Sequence, residues 1–147
     1  MTIKKSLFIA AIMLLATTMA NAAKKTIYKP WSNGKLKVSA NQRYLIHENG
    51  TPFFWLGNTA WLLPERLNRD EAEYFLAKER ELGYNVEQIQ VLNAIPTFNV
   101  YGQQANNKEF DFSKVSKPGV YGYWEHLDYI IDRAADNGIY IAMDCIW

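Results

Sequence analysis

The chain has 147 residues, of which 49% are hydrophobic and 21% charged, and a formal net charge of +1. This is the composition of one ordinary globular domain, neither disordered nor fibrous, and the near-neutral charge excludes an electrostatic nucleic-acid binder. The single cysteine, Cys145, excludes an internal disulfide, and its place in an apolar stretch predicts a small core residue rather than a nucleophile.

At the amino terminus Lys4 and Lys5 precede an apolar run from Leu7 to Met19 and the small-residue stretch Ala20-Asn21-Ala22. This is the layout of a secretory signal peptide over residues 1–22, cleaved after Ala22. The run is shorter than the roughly 20 residues of a spanning helix, so the expectation is a secreted or periplasmic chain without stable membrane insertion. Residues 23–35 read as a polar arm leading to a first strand around Leu36 to Val38.

In RYLIHENGTPFFWLG, apolar runs flank Asn49-Gly50, a dipeptide that tolerates the positive φ angles of a tight primed turn. Tyr44–His47 is therefore expected to fold back on Thr51–Phe54, and the hairpin to lead straight into a buried strand, Phe53 to Leu56. The period then changes. Asn68 with Glu71 three residues on forms a capping box, and Asp70 and Glu71 suit the positive end of the helix dipole. Ala72, Phe75, Leu76 and Leu82 fall broadly on one face, and Gly83 ends the helix.

YNVEQIQVL follows as a second strand of mixed polarity. Because successive side chains alternate between faces, at least one of Glu87, Gln88 and Gln90 must point into the interior, held by neighbouring strands or set against a ligand. A long connection over residues 93–122, well beyond the roughly 4–6 residues of ordinary loops, alternates Phe98, Tyr101, Phe110 and Phe112 with Asn99, Gln103, Gln104, Asn106 and Asn107. Aromatic faces among amides suit a sugar, and equally suit a surface loop whose rings pack on a rim. A second helix, Tyr123 to Asn137, carries Trp124, Leu127, Ile131, Ala134 and Ala135, Gly138 closes it, and a final apolar strand follows.

Hairpin, strand, helix, strand, helix, strand is the order of right-handed βαβ crossovers in a parallel α/β fold. A (β/α)8 barrel takes about 250 residues, so the expectation is an incomplete barrel, the N-terminal portion of a larger enzyme over residues 36–147. Gly57-Asn58-Thr59-Ala60-Trp61 lacks a dinucleotide fingerprint and no phosphate loop of the GxxxxGK type appears, so no nucleotide cofactor is expected.

FFWLGNTAWLLPERLNRDEAEYFLAKERELGYNVEQIQVLN, then VYG, then YWEHLDYIIDRAADNGIYIAM, resembles the opening of the apiosidase-like proteins, glycoside hydrolase family 140, in order and spacing from about Trp31 onward. The resemblance implies a secreted (β/α)8 glycosidase of carbohydrate substrates, with apiose-bearing side chains of the pectin rhamnogalacturonan II as the best-known example. Such enzymes use a pair of carboxyl groups, one donating a proton to the leaving oxygen and one attacking or activating water. The resemblance places both beyond Trp147.

Among the acids present, Asp144 alone stands near the C-terminal end of an expected strand, where barrels place catalysis. No partner carboxylate ends the other two strands, which favours a paired interior acid or one near a loop instead. Glu87 sits too early in its strand, while Glu125 and Asp128 belong to a helix. The expected substrate contacts are Asn58, Thr59 and Trp61 after strand one, Asn93 after strand two, Tyr101 in the loop and Trp147 after strand three. Many family members carry aspartate where this chain has Asn58, and either would bond a hydroxyl or brace a catalytic acid. His47 and His126 lack metal-ligand spacing, so no metal is expected. The alternative function is a secreted, non-catalytic glycan binder that uses the long loop.

Overall fold

The computed structural model describes residues 27–106 and 119–146. The expected signal peptide, Asn107, Phe110, Phe112 and Trp147 lie outside the described residues. A 3-10 turn, Pro30–Asn33, occupies the expected arm. It is followed by β1 (Leu36–Val38), β2 (Leu45–His47) and β3 (Pro52–Phe53), an antiparallel sheet in the order β1-β2-β3.

The Asn49-Gly50 turn closes β2 on β3, with Ile46 opposite Pro52, but through a three-residue loop rather than a tight primed turn. His47 N–H donates to Thr51 O at 2.8 Å and Gly50 N–H to His47 O at 2.9 Å, and only Gly50 of the two turn residues has positive φ, +88°. Asn49 uses its side chain instead: Oδ1 accepts from Thr51 N–H at 3.0 Å.

The second sheet is parallel, in the order β4 (Gly57–Thr59), β5 (Val86–Gln90), β6 (Tyr140–Asp144). Its first strand begins at Gly57 and not at Phe53 as expected. Phe53 pairs with Leu45 in the hairpin, and the backbone after it is held by the Asn85 side chain, whose Nδ2 donates to Phe54 O at 2.7 Å and whose Oδ1 accepts from Leu56 N–H at 2.9 Å. The ladder with β5 opens only where Gly57 meets Val86. Phe54, Trp55 and Leu56 are accordingly exposed, although their apolar character predicted burial.

Helices α1 (Leu63–Arg66), α2 (Arg69–Leu82) and α3 (Tyr123–Asp136) lie between the parallel strands in sequence. The short α1, with proline in its first turn, was not expected from the sequence. For α2 the capping box is present in both directions, Glu71 N–H to Asn68 Oδ1 at 3.0 Å and Asn68 N–H to Glu71 Oε2 at 2.9 Å. Both long helices stop the same way. Tyr84 N–H donates to Glu79 O and Gly83 N–H to Arg80 O, and Ile139 N–H donates to Ala134 O and Gly138 N–H to Ala135 O. These are paired Schellman bonds around a left-handed glycine, with φ +98° at Gly83 and +70° at Gly138.

An added Cβ at Gly138 would also meet Tyr28 O at 3.0 Å and Ile27 Cγ2 at 3.2 Å. Gly138→Ala is expected to destabilise the fold by about 1–2 kcal/mol, read as a lower urea midpoint with unchanged m-value.

The core sits between the parallel sheet and the helices. Ile89, Val91 and Leu92 pack against Ala72, Tyr123, Leu127 and Ile130, and a second cluster joins Leu76, Ala134 and Ile139. The inward face of α2 differs from expectation at its end, since Leu82 is 71% exposed and Glu79 is 7% exposed. Residues 72, 76 and 79 share a face at helical spacing, whereas 82 has rotated off it.

Candidate functional site

Alternation decides which side chains of β5 meet which layer. Ile89 and Val91 join α2 and α3 residues in the core, so Glu87 shares that helical face, and Gln88 and Gln90 point to the other. Register then sets Thr59 beside Gln88, Gln88 beside Ala142, and Gln90 beside Asp144. The result is a polar row on the helix-free face, rising to the C-terminal ends of the strands, the edge at which parallel α/β sheets bind ligands.

The same edge carries Trp61, and Asn93 follows the end of β5 by three residues. Gln90 N–H donates to Trp61 O at 2.9 Å and Val91 N–H to Asp144 O at 2.7 Å, so the turn after β4 and the end of β6 are both tied to β5. A cavity of about 400 Å³ lies between β4 and the helices α1 and α2, lined by Asn58, Thr59, Trp61, Leu63, Arg66 and Phe75 among others, on the helical side and apart from Gln90 and Asp144. Trp61 and Asp144 are thus brought to the end of β5, with Thr59 on the same face of the sheet. Gln90, which is buried, belongs with them and was not singled out as a contact from the sequence.

Two expected contacts are placed elsewhere. Asn58 lies within β4 rather than after it, and its side chain serves the helical layer: Nδ2 donates to Glu79 Oε2 at 3.2 Å, while Oδ1 accepts from Thr59 N–H at 2.8 Å. Tyr101 buttresses the start of α2. Its hydroxyl accepts from Arg69 N–H at 2.9 Å, and its ring stands edge-on to His126 at 5.1 Å and beside Tyr121 at 4.5 Å. The loop amides turn inward too, Asn99 accepting from Tyr101 N–H and Gln103 N–H and donating to Tyr121 O. In the described part of the loop, then, the amides fold the backbone on itself, and Phe98 remains exposed.

Burial shapes the electrostatics. The Tyr123 hydroxyl donates to Val91 O, and burial above all pushes its pKa up to about 12, with the Glu65 charge adding to the rise and a bond with Thr97 opposing it. Burial likewise pushes His126 below its ordinary value, the nearby Arg69 charge adding to the shift and backbone bonds opposing it. His126 Nε2 lies 3.0 Å from Leu67 O. Glu87 is fully buried and its carboxyl oxygens have no donor among the described residues. Burial first, then the charge of Glu79 and a hydrogen bond with it, push its pKa up to about 8. Glu125 and Asp128 sit on α3, and Cys145, expected in the core, is exposed because β6 ends at Asp144.

Among the described residues no group of three or more His, Cys, Asp or Glu side chains could hold a metal ion, and no helix is long and apolar enough to cross a membrane.

A family model described as the apiosidase-like catalytic domain matches residues 39–147. The chain belongs to the apiosidase-like family. Among solved structures, this apiosidase-like chain is similar to a glycoside hydrolase, at 61% identity over 83% of its length and 27% of that chain, with a TM-score of 0.78. It is similar also to a glycoside hydrolase family 5 protein from Bacteroides vulgatus, at 57% identity, the same coverage of 83% and 27%, and a TM-score of 0.78. An endo-1,4-beta-mannanase from Rhizomucor miehei, 20% identical over 74% of this chain and 28% of that one with a TM-score of 0.53, shows likeness of fold alone. No curated protein matches.

The apiosidase-like chain therefore spans about a quarter of the length of the glycoside hydrolases it matches. Its α/β architecture is that of these relatives, and no closed barrel is formed among the described residues.

Proposed function

We propose that this chain forms the opening βα units of a (β/α)8 glycoside hydrolase that acts on side chains of plant cell-wall polysaccharides, with apiose-bearing rhamnogalacturonan II as substrate. The observation that carries this reading is the polar row on the helix-free face, Thr59, Gln88, Gln90 and Asp144, in a chain of apiosidase-like family membership. Amide and hydroxyl groups both donate and accept, as the two-way bonding of sugar hydroxyls requires.

Glycosidic cleavage needs one carboxyl to protonate the leaving oxygen and a second to attack the anomeric carbon or activate water. We assign that pair to strands beyond residue 147. Asp144, at the end of β6, serves to bind and orient the sugar beside Gln90, with Thr59, Trp61, Asn93 and Trp147 as further contacts. The family relationship implies no cofactor for this chemistry. Export follows from the amino-terminal sequence, and the amino terminus of the exported product is expected to be Ala23.

The test is release of apiose from rhamnogalacturonan II by the gene product that carries this domain. Absence of turnover on pectic side chains, with saturable sugar binding retained, would sink the hydrolase reading. Within an active enzyme, Gln90→Ala and Asp144→Asn are each expected to raise KM about tenfold, the worth of a hydrogen bond or so, with kcat little changed. A fall in kcat beyond about a thousandfold for Asp144→Asn, out of the range of one binding contact, would move Asp144 into the catalytic pair.

A further inference from the structure

The helical face of the parallel sheet holds a polar cluster that the substrate row does not use. Glu79 on α2 and Glu87 on β5 are 7% and 0% exposed. Two carboxylates cannot both remain charged side by side without a counter-ion in such a place. The register partners of Glu87 are Asn58 on β4 and Ile141 on β6. Glu79, facing it from α2, is the one titratable group among the described residues that acts on it. Among the described residues neither acid forms an ion pair with a cation.

Asn58 bridges this cluster to the substrate face. Its Nδ2 donates to Glu79 Oε2 and its Oδ1 accepts from the N–H of Thr59, the next residue and the first of the polar row. We propose that Glu79 and Glu87 share one proton, and that this pair, acting through Asn58, positions the end of β4 so that Thr59 meets the substrate. The Glu87 carboxyl donates its proton to a Glu79 oxygen, leaving one negative charge on the pair, and Asn58 Nδ2 donates to the other side of that charge. This rests on the reading of the helix-free face as the substrate face. Neither acid touches substrate; both are positioning residues.

The sign of the pH dependence follows. Glu87 is raised from its ordinary value of 4.5 to about 8 in the folded protein. Its contribution to stability is therefore complete below about pH 4.5 and is lost as pH rises through about 8, where the proton leaves to water and two buried carboxylates face each other.

The experiment is a pH series on the protein, wild type against Glu87→Gln and Glu79→Gln. Glutamine at 87 supplies a permanent neutral donor. The expected result is a protonated-carboxyl infrared band at pH 7 in wild type that disappears in Glu87→Gln, and a urea midpoint that declines between about pH 4.5 and 8 in wild type but stays flat in that variant. In Glu79→Gln, which keeps the remaining acid without its charged partner, the decline should move to lower pH. In an active enzyme the alkaline limb of kcat/KM should move upward in pH for Glu87→Gln, with the acid limb unmoved. A wild type without the infrared band, or an unchanged alkaline decline in both variants, overturns the shared proton. An unmoved alkaline limb in an active Glu87→Gln enzyme overturns the positioning role. Failure of the glycosidase reading would show instead as loss of all turnover in the wild type while the infrared and urea signatures persist.

Discussion

Replacing Tyr123 with alanine is expected to cost about 3–5 kcal/mol of folding stability, the range for emptying an aromatic site in a close-packed core. Tyr123 is the largest fully buried side chain among the described residues, opens α3, and shares its core cluster with Leu63, Ala72 and Ile89. Its hydroxyl donates to Val91 O at the first residue beyond β5, so one side chain fastens together the two ends of the long connection. Tyr123→Phe separates the effects: the ring remains, the Val91 carbonyl loses its donor, and the expected loss is about 1–3 kcal/mol. Burial raises this phenol from 10.0 to about 12. Its contribution is therefore present below about pH 10 and lost as pH rises toward 12, a decline that Tyr123→Phe should abolish. Urea titrations of the three proteins at neutral and alkaline pH would read both effects.

Arg69→Ala is the second large change expected. The Arg69 guanidinium packs over the rings of Tyr121 at 5.1 Å and Tyr129 at 4.5 Å, and Nη2 donates to Val120 O at 2.7 Å and Glu125 O at 3.3 Å. Two cation–π contacts with charge-assisted bonds to carbonyls amount to about 2–4 kcal/mol. That energy is local. Tyr121 O is the acceptor for Asn99, and Asn99 Oδ1 in turn holds the amides of Tyr101 and Gln103. Those amides should exchange with solvent on the order of 10- to 100-fold faster in Arg69→Ala, while amides in β5 keep wild-type protection. Arg69→Lys should rescue little, because a point charge supplies neither the planar stack nor the fork. Equal acceleration everywhere would show a global loss of stability in place of a released loop.

The two long helices were legible in the sequence because their signals are local. A capping box at Asn68 and glycines at 83 and 138 describe bonds made within a few residues, and the structure contains them. The apiosidase-like resemblance rested on order and spacing across the chain, and the family match covers residues 39–147 of that region. What failed was whatever depends on partners far along the chain. The run FFWL was read as a buried strand from its apolarity, yet its backbone is taken up by Leu45 on one side and Asn85 on the other. In VEQIQ, alternation showed that polar groups must face inward without showing which layer each would meet. That Ile89, and with it Glu87, meets the helical layer is settled only by the packing of α2 and α3. Glu79 did leave a signal, since it follows Ala72 and Leu76 at the spacing of a buried helical stripe. Apolar bias made Leu82 the more natural choice.

The Schellman endings of α2 and α3 have a consequence for how such a chain can change over evolutionary time. Gly83 is followed by two residues before β5, and Gly138 by one before β6, so the lower side of the molecule has no slack. An inserted residue there would reverse the phase of the strand it precedes, turning an acid meant for the helical layer toward the helix-free face and a glutamine toward the core. On the opposite side, residues 91–122 separate β5 from α3, and length can vary there without altering any strand's phase. Loop length is therefore free to drift at one end of the sheet while the other end keeps every side chain on its proper face.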